Sequence, residues 1–338
     1  MTEPLKIIDA DTLLSSPMRK PRFIVDGFLP EGISLFCGAS KVGKSWLMLW
    51  LSLQVAQGNP VWNMETHKCD VLYLCLEDTF HRIQNRLYLI TETAPDNLYL
   101  AVSSGQINHG LQKQIHAHMQ DYPKTKLIVI DTLQKVRNPE NGSMMSYTTD
   151  YEDVTALKKI ADRYGIAIIL VHHLRKNPDP NDPFNQIAGT TGLMGAADSS
   201  FVISKSSRSD ETAMLFATGR DIEYQQLTLR FQERIWHLES HKGQAQLRQE
   251  AIPPFLFRVV EFITQRRKWK GTASQLLAEL GDMETSPTTV TRLLGRFYEE
   301  VLKPNNIGYE TKRTAKERLI LLKARDSNDE NDSFLRAG

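Results

Sequence analysis

Cysteine is scarce in this chain of 338 residues. Cys37, Cys69 and Cys75 are the three present, and they form no metal-ligand spacing, which excludes a cysteine-built metal site. Cys37 and Cys75 sit inside apolar runs, where cysteine acts as a small hydrophobe. No apolar run approaches the ~18 residues that cross a bilayer, and no apolar leading stretch reads as a signal peptide. The expectation is a cytoplasmic protein with no membrane contact. An excess of either charge is also missing. Lys and Arg number 41 against 40 Asp and Glu, a net of +1 that by itself points to no partner. No repeat of fixed period and no nuclease or primase motif is found.

What is present is the composition of an ordinary globular protein, 41% hydrophobic and 24% charged, long enough for one large domain and a small one. The charge is unevenly spread. Residues 253–325 hold 14 Lys and Arg against 8 Asp and Glu, whereas the tail 326–338 is acidic. The polar stretch before Pro253-Pro254 marks a linker. The expected division is a large domain over 1–240 with a leading arm, a linker over 241–252, a second domain over 253–325 and a disordered acidic tail over 326–338.

In the first domain, "EGISLFCG" reads as a buried strand ending at Gly38, and "KSWLMLWLSLQVAQG" as a helix ended by Gly58. "DVLYLCLED", "NLYLAV", "TKLIVIDTL" and "IAIILVHH" follow as strands, with helices at "TFHRIQNRLYLI" and "YEDVTALKKIADRYG". "SSFVISKSS", "TAMLFATGR" and "LTLRF" are strands without helices between them. Alternating strands and helices predict a mostly parallel sheet covered on both faces, with antiparallel strands added at one edge. The second domain reads as three helices and a two-stranded hairpin, the pattern of a winged helix-turn-helix.

"GASKVGKS" satisfies GxxxxGK[ST] at Gly38, Gly43, Lys44 and Ser45. The segment Gly38, Ala39, Ser40, Lys41, Val42, Gly43, Lys44, Ser45 and Trp46 is the expected phosphate cradle. Glycines let successive N–H groups turn toward one phosphate, and the helix that follows adds its positive end. Lys44 would reach the β and γ phosphates of ATP, and Ser45 would ligate Mg²⁺. "LIVID" ends a buried strand at Asp131, the second expected Mg²⁺ group. Thr132, not an acid, follows it, so a general base must come from elsewhere. Glu77 at the end of "VLYLCLE" is the candidate, and Asp78 competes for the role. His172 and His173 end another core strand. At most one of them faces the γ-phosphate as a sensor, and a metal site is the alternative. Arg220 reads either as an arginine finger reaching a neighbouring subunit or as a surface residue paired with Asp221 or Glu223.

The order of these motifs resembles the RecA-like ATPases of the RepA and DnaB class, above all the RepA-like proteins of phages, plasmids and integrated elements. "FIVDGFLPEGISLFCGASKVGKSWL", "LEDTFHRIQNRL" and "IAGTTGLMGAADSSFVI" carry the resemblance, which spans roughly residues 7–240. It implies a RecA-like core, a hexameric ring with ATP at the subunit interfaces, and hydrolysis that drives movement along single-stranded DNA. Carried over residue by residue, Lys44 and Ser45 bind phosphate and Mg²⁺, Glu77 is the base, Asp131 the Walker B acid and His173 the sensor. "GRDIEYQQLTL" resembles the segment in which such rings carry trans-acting basic residues, which favours Arg220. The chain departs from RepA proper in "SSFVI", which lacks the arginine found there.

The C-terminal block resembles winged-helix modules appended to some of these proteins. Thr288, Thr289, Thr291 and Arg292 would meet DNA in a groove, and Lys312, Arg313 and Lys316 would contact phosphate, unless the module binds protein instead. Three functions remain open from the sequence. They are a replicative helicase or initiator of a mobile element, a nucleotide-switched loader or recombination mediator, and a transcriptional regulator toggled by ATP.

Overall fold

The computed structural model describes residues 5, 7–16, 21–137, 147–175, 179, 182–189, 191–250, 252–313 and 317–324. The chain divides into two compact units between Gln244 and Ala245. The first begins with α1 (Ala10–Ser15) and a short ribbon of β1 (Phe23–Val25) and β2 (Leu29–Pro30). Then come β3 (Gly32–Gly38), α2 (Lys44–Gln57), β4 (Asp70–Cys75), α3 (Phe80–Ile90), β5 (Leu98–Ala101), α4 (Leu111–Asp121) and β6 (Thr125–Asp131). After these lie α5 (Leu133–Val136), α6 (Tyr147–Tyr164), β7 (Ala167–His173), α7 (Thr191–Ala196) and β8 (Ser199–Ser204). The unit closes with β9 (Thr212–Gly219), β10 (Gln225–Gln232) and β11 (Ile235–Gly243), and α8 (Gln244–Glu250) follows.

One nine-stranded sheet has the order β11-β10-β9-β8-β3-β7-β6-β4-β5. The strands from β8 to β5 are parallel, and β9, β10 and β11 extend the β8 edge in antiparallel fashion. Burial follows from this layout. Every residue of β3 is buried, as are all but one each of β6 and β7, because helices cover both faces of the parallel strands. β9 and β10 instead alternate buried and half-buried residues, as antiparallel strands with one dry face do. On one face, α2 packs Met48 and Trp50 into a core with Phe36, Val129 and Phe201. On the other, α4 and α6 pack Ile115 and Leu157 over Ile33, Ile128 and Leu170. Ten of the fourteen residues of α2 are buried, so it is a core helix and not an amphipathic surface one.

The second unit holds α9 (Pro254–Arg266), β12 (Lys268–Thr272), α10 (Ala273–Leu280), α11 (Pro287–Arg296), β13 (Ile307–Arg313) and β14 (Arg318–Ala324). Its three-stranded antiparallel sheet has the order β12-β14-β13 and packs with the helices around Phe255, Val259, Trp269, Leu276, Val290 and Ile320. It is a small domain with its own core.

Two sequence expectations need correction. The stretch 241–252, expected as a linker, holds the last residues of β11 and all of α8. β11 is an edge strand whose exposed side is polar, so its composition imitates a linker. The expected hairpin of the second unit has a third strand, β12, in which Trp269 is the one large buried side chain. No helix among the described residues is long and apolar enough to cross a membrane.

Candidate functional site

The phosphate loop lies between β3 and α2, at the C-terminal edge of the parallel strands, where open α/β sheets bind ligands. Two glycines are required by what surrounds them. A Cβ on Gly38 would come within 2.6 Å of Ile203 on the neighbouring β8. Gly43, which precedes α2, has φ of 104°, and a Cβ there would sit 3.1 Å from the Trp236 indole nitrogen. Lys44 folds its ammonium back under the loop and donates to the carbonyls of Gly38 at 2.7 Å and Ala39 at 2.9 Å. It makes no ion pair among the described residues. Burial lowers its pKa, and the nearby Asp131 carboxylate works against that. A buried ammonium held only by neutral carbonyls suits an anionic ligand in the hollow of the loop.

Asp131 ends β6 beside this ammonium. It is buried, accepts from Tyr73 Oη at 2.9 Å and lies near the Ser45 hydroxyl. Burial raises its pKa, and the Ser45 and Tyr73 hydroxyls oppose the rise. A hydroxyl and a carboxylate near one another, next to a phosphate hollow, are donors of the hard-oxygen kind that Mg²⁺ takes together with phosphate and water. No cluster of three or more His, Cys, Asp or Glu suited to a metal occurs among the described residues. That leaves the alternative metal site at the histidines without further ligands there.

Glu77 and Asp78 part company. β4 stops at Cys75, two residues short of the expected strand end, because Asp78 N–H closes a turn onto the Cys75 carbonyl at 3.1 Å. Glu77 Oε1 accepts from the Thr132 hydroxyl at 3.2 Å, which brings its carboxylate to the residue after Asp131. Asp78 turns to α3 instead, accepting from Arg86 at 2.6 Å and Arg82 at 3.2 Å, and Thr79 caps that helix. The turn separates the two acids, not the pleat of a strand.

His173 stands opposite Gly38 in the β3–β7 register, and its carbonyl accepts from the Ala188 N–H at 3.0 Å. His172 is buried on the other side, with Nε2 donating to the Ala188 carbonyl at 3.1 Å and Nδ1 without a partner among the described residues. Burial, aided by the Arg137 charge, pushes its pKa down to about 4. The pair thus stitches the end of β7 to the loop that follows.

Arg220 is elsewhere. Its backbone N–H and guanidinium both reach Asp198, at 2.8 and 3.3 Å, and the guanidinium also donates to the Gly195 carbonyl. Asp198 is not one of the partners expected from sequence. It precedes β8 and is shared with Lys158 at 2.6 Å and the Ile33 N–H at 2.9 Å. Since Gly38 pairs with Ile203 while Gly219 pairs with Ser199, Arg220 lies at the opposite end of β8 from the phosphate loop.

A family profile described as an AAA domain matches residues 2–179, more than half of the chain. The chain belongs to the AAA domain family. The DNA repair protein RadA of Streptococcus pneumoniae (strain ATCC BAA-255 / R6) is 23% identical over 181 residues, 52% of this chain and 39% of RadA. The chain therefore spans about two fifths of that relative's length. Among solved structures, a DnaB-like replicative helicase studied with primase superposes with a TM-score of 0.53 at 15% identity, over 68% of each chain. A KaiC-like protein of Pyrococcus horikoshii OT3 gives 0.47 at 11% identity, over 65% of this chain and 96% of that one. The architecture of this AAA domain protein is RecA-like, with the phosphate loop at the edge of its parallel strands.

Other contributors to the AAA domain site carry no local sign in the sequence. Tyr73, one strand over, hydrogen-bonds Asp131, and Trp236, from the last strand of the unit, packs on Gly43. Both are aromatic residues in apolar surroundings, indistinguishable by pattern from core.

In the second unit, Thr288 and Arg292 are exposed on α11, and Thr289 and Thr291 are half-buried. The Ser286 hydroxyl ties Thr288 and Thr289 together at 3.1 and 2.8 Å, and the Thr291 carbonyl accepts from Tyr309. Lys312 and Arg313 are exposed on β13, and Lys316 lies outside the described residues.

Proposed function

We propose that the chain hydrolyses ATP with Mg²⁺ and couples that reaction to DNA. The supporting observation is the convergence of Lys44, Ser45, Asp131 and Glu77, from three different strands or their exits, on one edge of the sheet. Mg²⁺, held by Ser45 and Asp131, supplies charge neutralisation at the phosphates when bound. Lys44 steadies the β and γ phosphates from beneath the loop. Glu77, kept in place by the Thr132 hydroxyl, orients the attacking water and takes its proton. His173, beside Gly38 at the end of β7, reports on the γ-phosphate to the loop anchored by Ala188.

The DNA part of the proposal rests on the resemblance to the RepA and DnaB class and on the basic C-terminal unit. We read that unit as a winged helix, with α11 as the helix that enters a groove and β13 as part of the wing. Thr288, Thr289, Thr291 and Arg292 then face bases and phosphates, and Lys312 and Arg313, with Lys316, face phosphates. The first unit works as a homo-oligomer, a hexameric ring in this reading, in the replication of a mobile element. Arg220 lies far from its own phosphate loop, so a role in catalysis requires a second copy of the chain.

The deciding experiment is ATP turnover with and without single-stranded DNA, beside light scattering for the particle mass. The expected result is a several-fold rise in turnover with DNA and a mass that is a multiple of the single chain. Turnover that ignores DNA would favour a nucleotide-switched loader or regulator, and absence of turnover would overturn the ATPase reading.

A further inference from the structure

The turn that joins β10 to β11 places Glu233 and Arg234 at φ of 52° and 67°. A two-residue hairpin takes left-handed backbone at both positions, and Asn-Gly adopts it with least strain. Here a glutamate and an arginine bear it. Strain of this kind persists where neighbouring structure over-determines it, and it collects at ligand clamps. What holds the turn is Trp236, two residues on. Its indole lies against Gly43 and donates to the Gly43 carbonyl at 3.4 Å, while its own carbonyl accepts from Trp62 at 2.7 Å. The turn is thereby pinned at the phosphate loop. The Arg234 guanidinium comes to rest 5.8 Å from the ring centroid of Trp46, on the first turn of α2. Arg86 lies 5.4 Å from the same ring but is committed to Asp78. Arg234 is exposed and makes no ion pair among the described residues.

The groups assigned so far serve phosphates and a cation, and none of them grips a base. The order of the strands says where a base would go. Asp131 and Glu77 lie on the β6 and β4 side of β3, whereas Arg234 and Trp236 reach the loop from the β8-to-β11 side. A nucleotide with its terminal phosphate at Glu77 leaves its nucleoside on the Arg234 side. A guanidinium held within cation–π range of an indole, and otherwise exposed, is a flat, cationic surface for a stacked ring. We infer that Arg234 is the residue on which the base of the bound nucleotide stacks, and that the strained turn serves to present it. The inference rests on the reading of residues 38–46 as a nucleotide cradle and adds the recognition of the nucleoside half.

Calorimetric titration of the full chain with ATP and with inorganic tripolyphosphate, both with Mg²⁺, separates the two halves of the ligand. Arg234→Asn is the variant to use, because asparagine tolerates the left-handed turn. It should weaken ATP about tenfold, the scale of a lost cation–π or stacking contact, and leave tripolyphosphate unchanged. Arg234→Lys, which keeps the charge but not the flat face, should resemble Arg234→Asn. An unchanged affinity for ATP in Arg234→Asn, an equal loss for both ligands, or full rescue by Arg234→Lys would overturn the inference and leave the cradle intact. A wild-type chain that binds neither ligand would overturn the cradle and this inference together.

Discussion

The adjacent acids Glu77 and Asp78 offer a test at the scale of single residues, because their partners differ so clearly. Glu77→Gln keeps a side chain that can accept from Thr132 but removes the proton acceptor, so turnover should fall by ~10²–10⁴-fold with nucleotide binding spared. Asp78→Asn takes the charge from Arg82 and Arg86 and should lower the melting temperature with turnover kept within a few-fold. Reversal of those two phenotypes in parallel assays would assign the base to Asp78. Lys44→Ala removes the ammonium under the loop and should abolish both hydrolysis and measurable nucleotide affinity, read by titration.

His172 makes a second residue-scale prediction. Its ordinary pKa of 6.5 is held down to about 4 by burial and by Arg137. Below pH 6.5 the unfolded chain takes up a proton at this position that the folded chain refuses until about pH 4. The unfolded state therefore binds more protons in that window, and stability falls as pH drops through it and levels off below. The loss is on the order of 3 kcal/mol. Urea midpoints measured against pH should show this descent in the wild type and a flatter one in His172→Gln. Identical profiles would remove His172 as its source.

Among the secondary elements, β11 links distant parts of the chain most directly. Trp236 is buried between Gly43 and the carbonyl-bound Trp62, so Trp236→Ala should cost about 3–5 kcal/mol of stability and weaken nucleotide binding as the loop loses its support. Thermal melts with and without ATP would check both effects. β11 also shows where sequence reading runs out. Gly38, Gly43, Lys44, Ser45 and Asp131 are legible because the loop chemistry is local and falls between a buried strand and a helix. The strands β3, β4, β6 and β7 are legible as apolar runs. β11 and β12 are edge strands with few buried side chains, and their composition reads as loop. The turn that parts Glu77 from Asp78 and the contact of Trp236 with Gly43 depend on tertiary neighbours, which no periodicity reports.

The whole molecule divides after Gln244 into units with separate cores. Pieces 1–244 and 245–338 should each melt cooperatively, with ATP turnover in the first and duplex DNA binding in the second. If the basic block 253–325 binds phosphates, the affinity of the second piece should fall steeply between about 50 and 200 mM salt, with a log–log slope of about −0.9 per phosphate neutralised. A flat response would make it a protein-binding module. For the first piece, mixing Arg220→Ala with Glu77→Gln chains tests the composite site. Regained turnover in the mixture would mean that one copy supplies the arginine and another the base. No regain, with subunit exchange verified by fluorescence transfer, would confine Arg220 to its Asp198 anchor.

The place of β3 at the middle of the sheet also bears on how the protein is made. Its two partners, β7 and β8, and the tryptophan that closes over its loop, all come much later in the chain. At ribosomal speeds of about 5–20 residues per second, the apolar segment Gly32–Gly38 waits roughly ten seconds or more for the strands that flank it. During that wait the nascent chain has no finished cradle, so nucleotide cannot act as an early folding ligand. Protection of the half-made sheet falls to whatever accompanies the chain out of the ribosome, until Trp236 emerges and seals the loop.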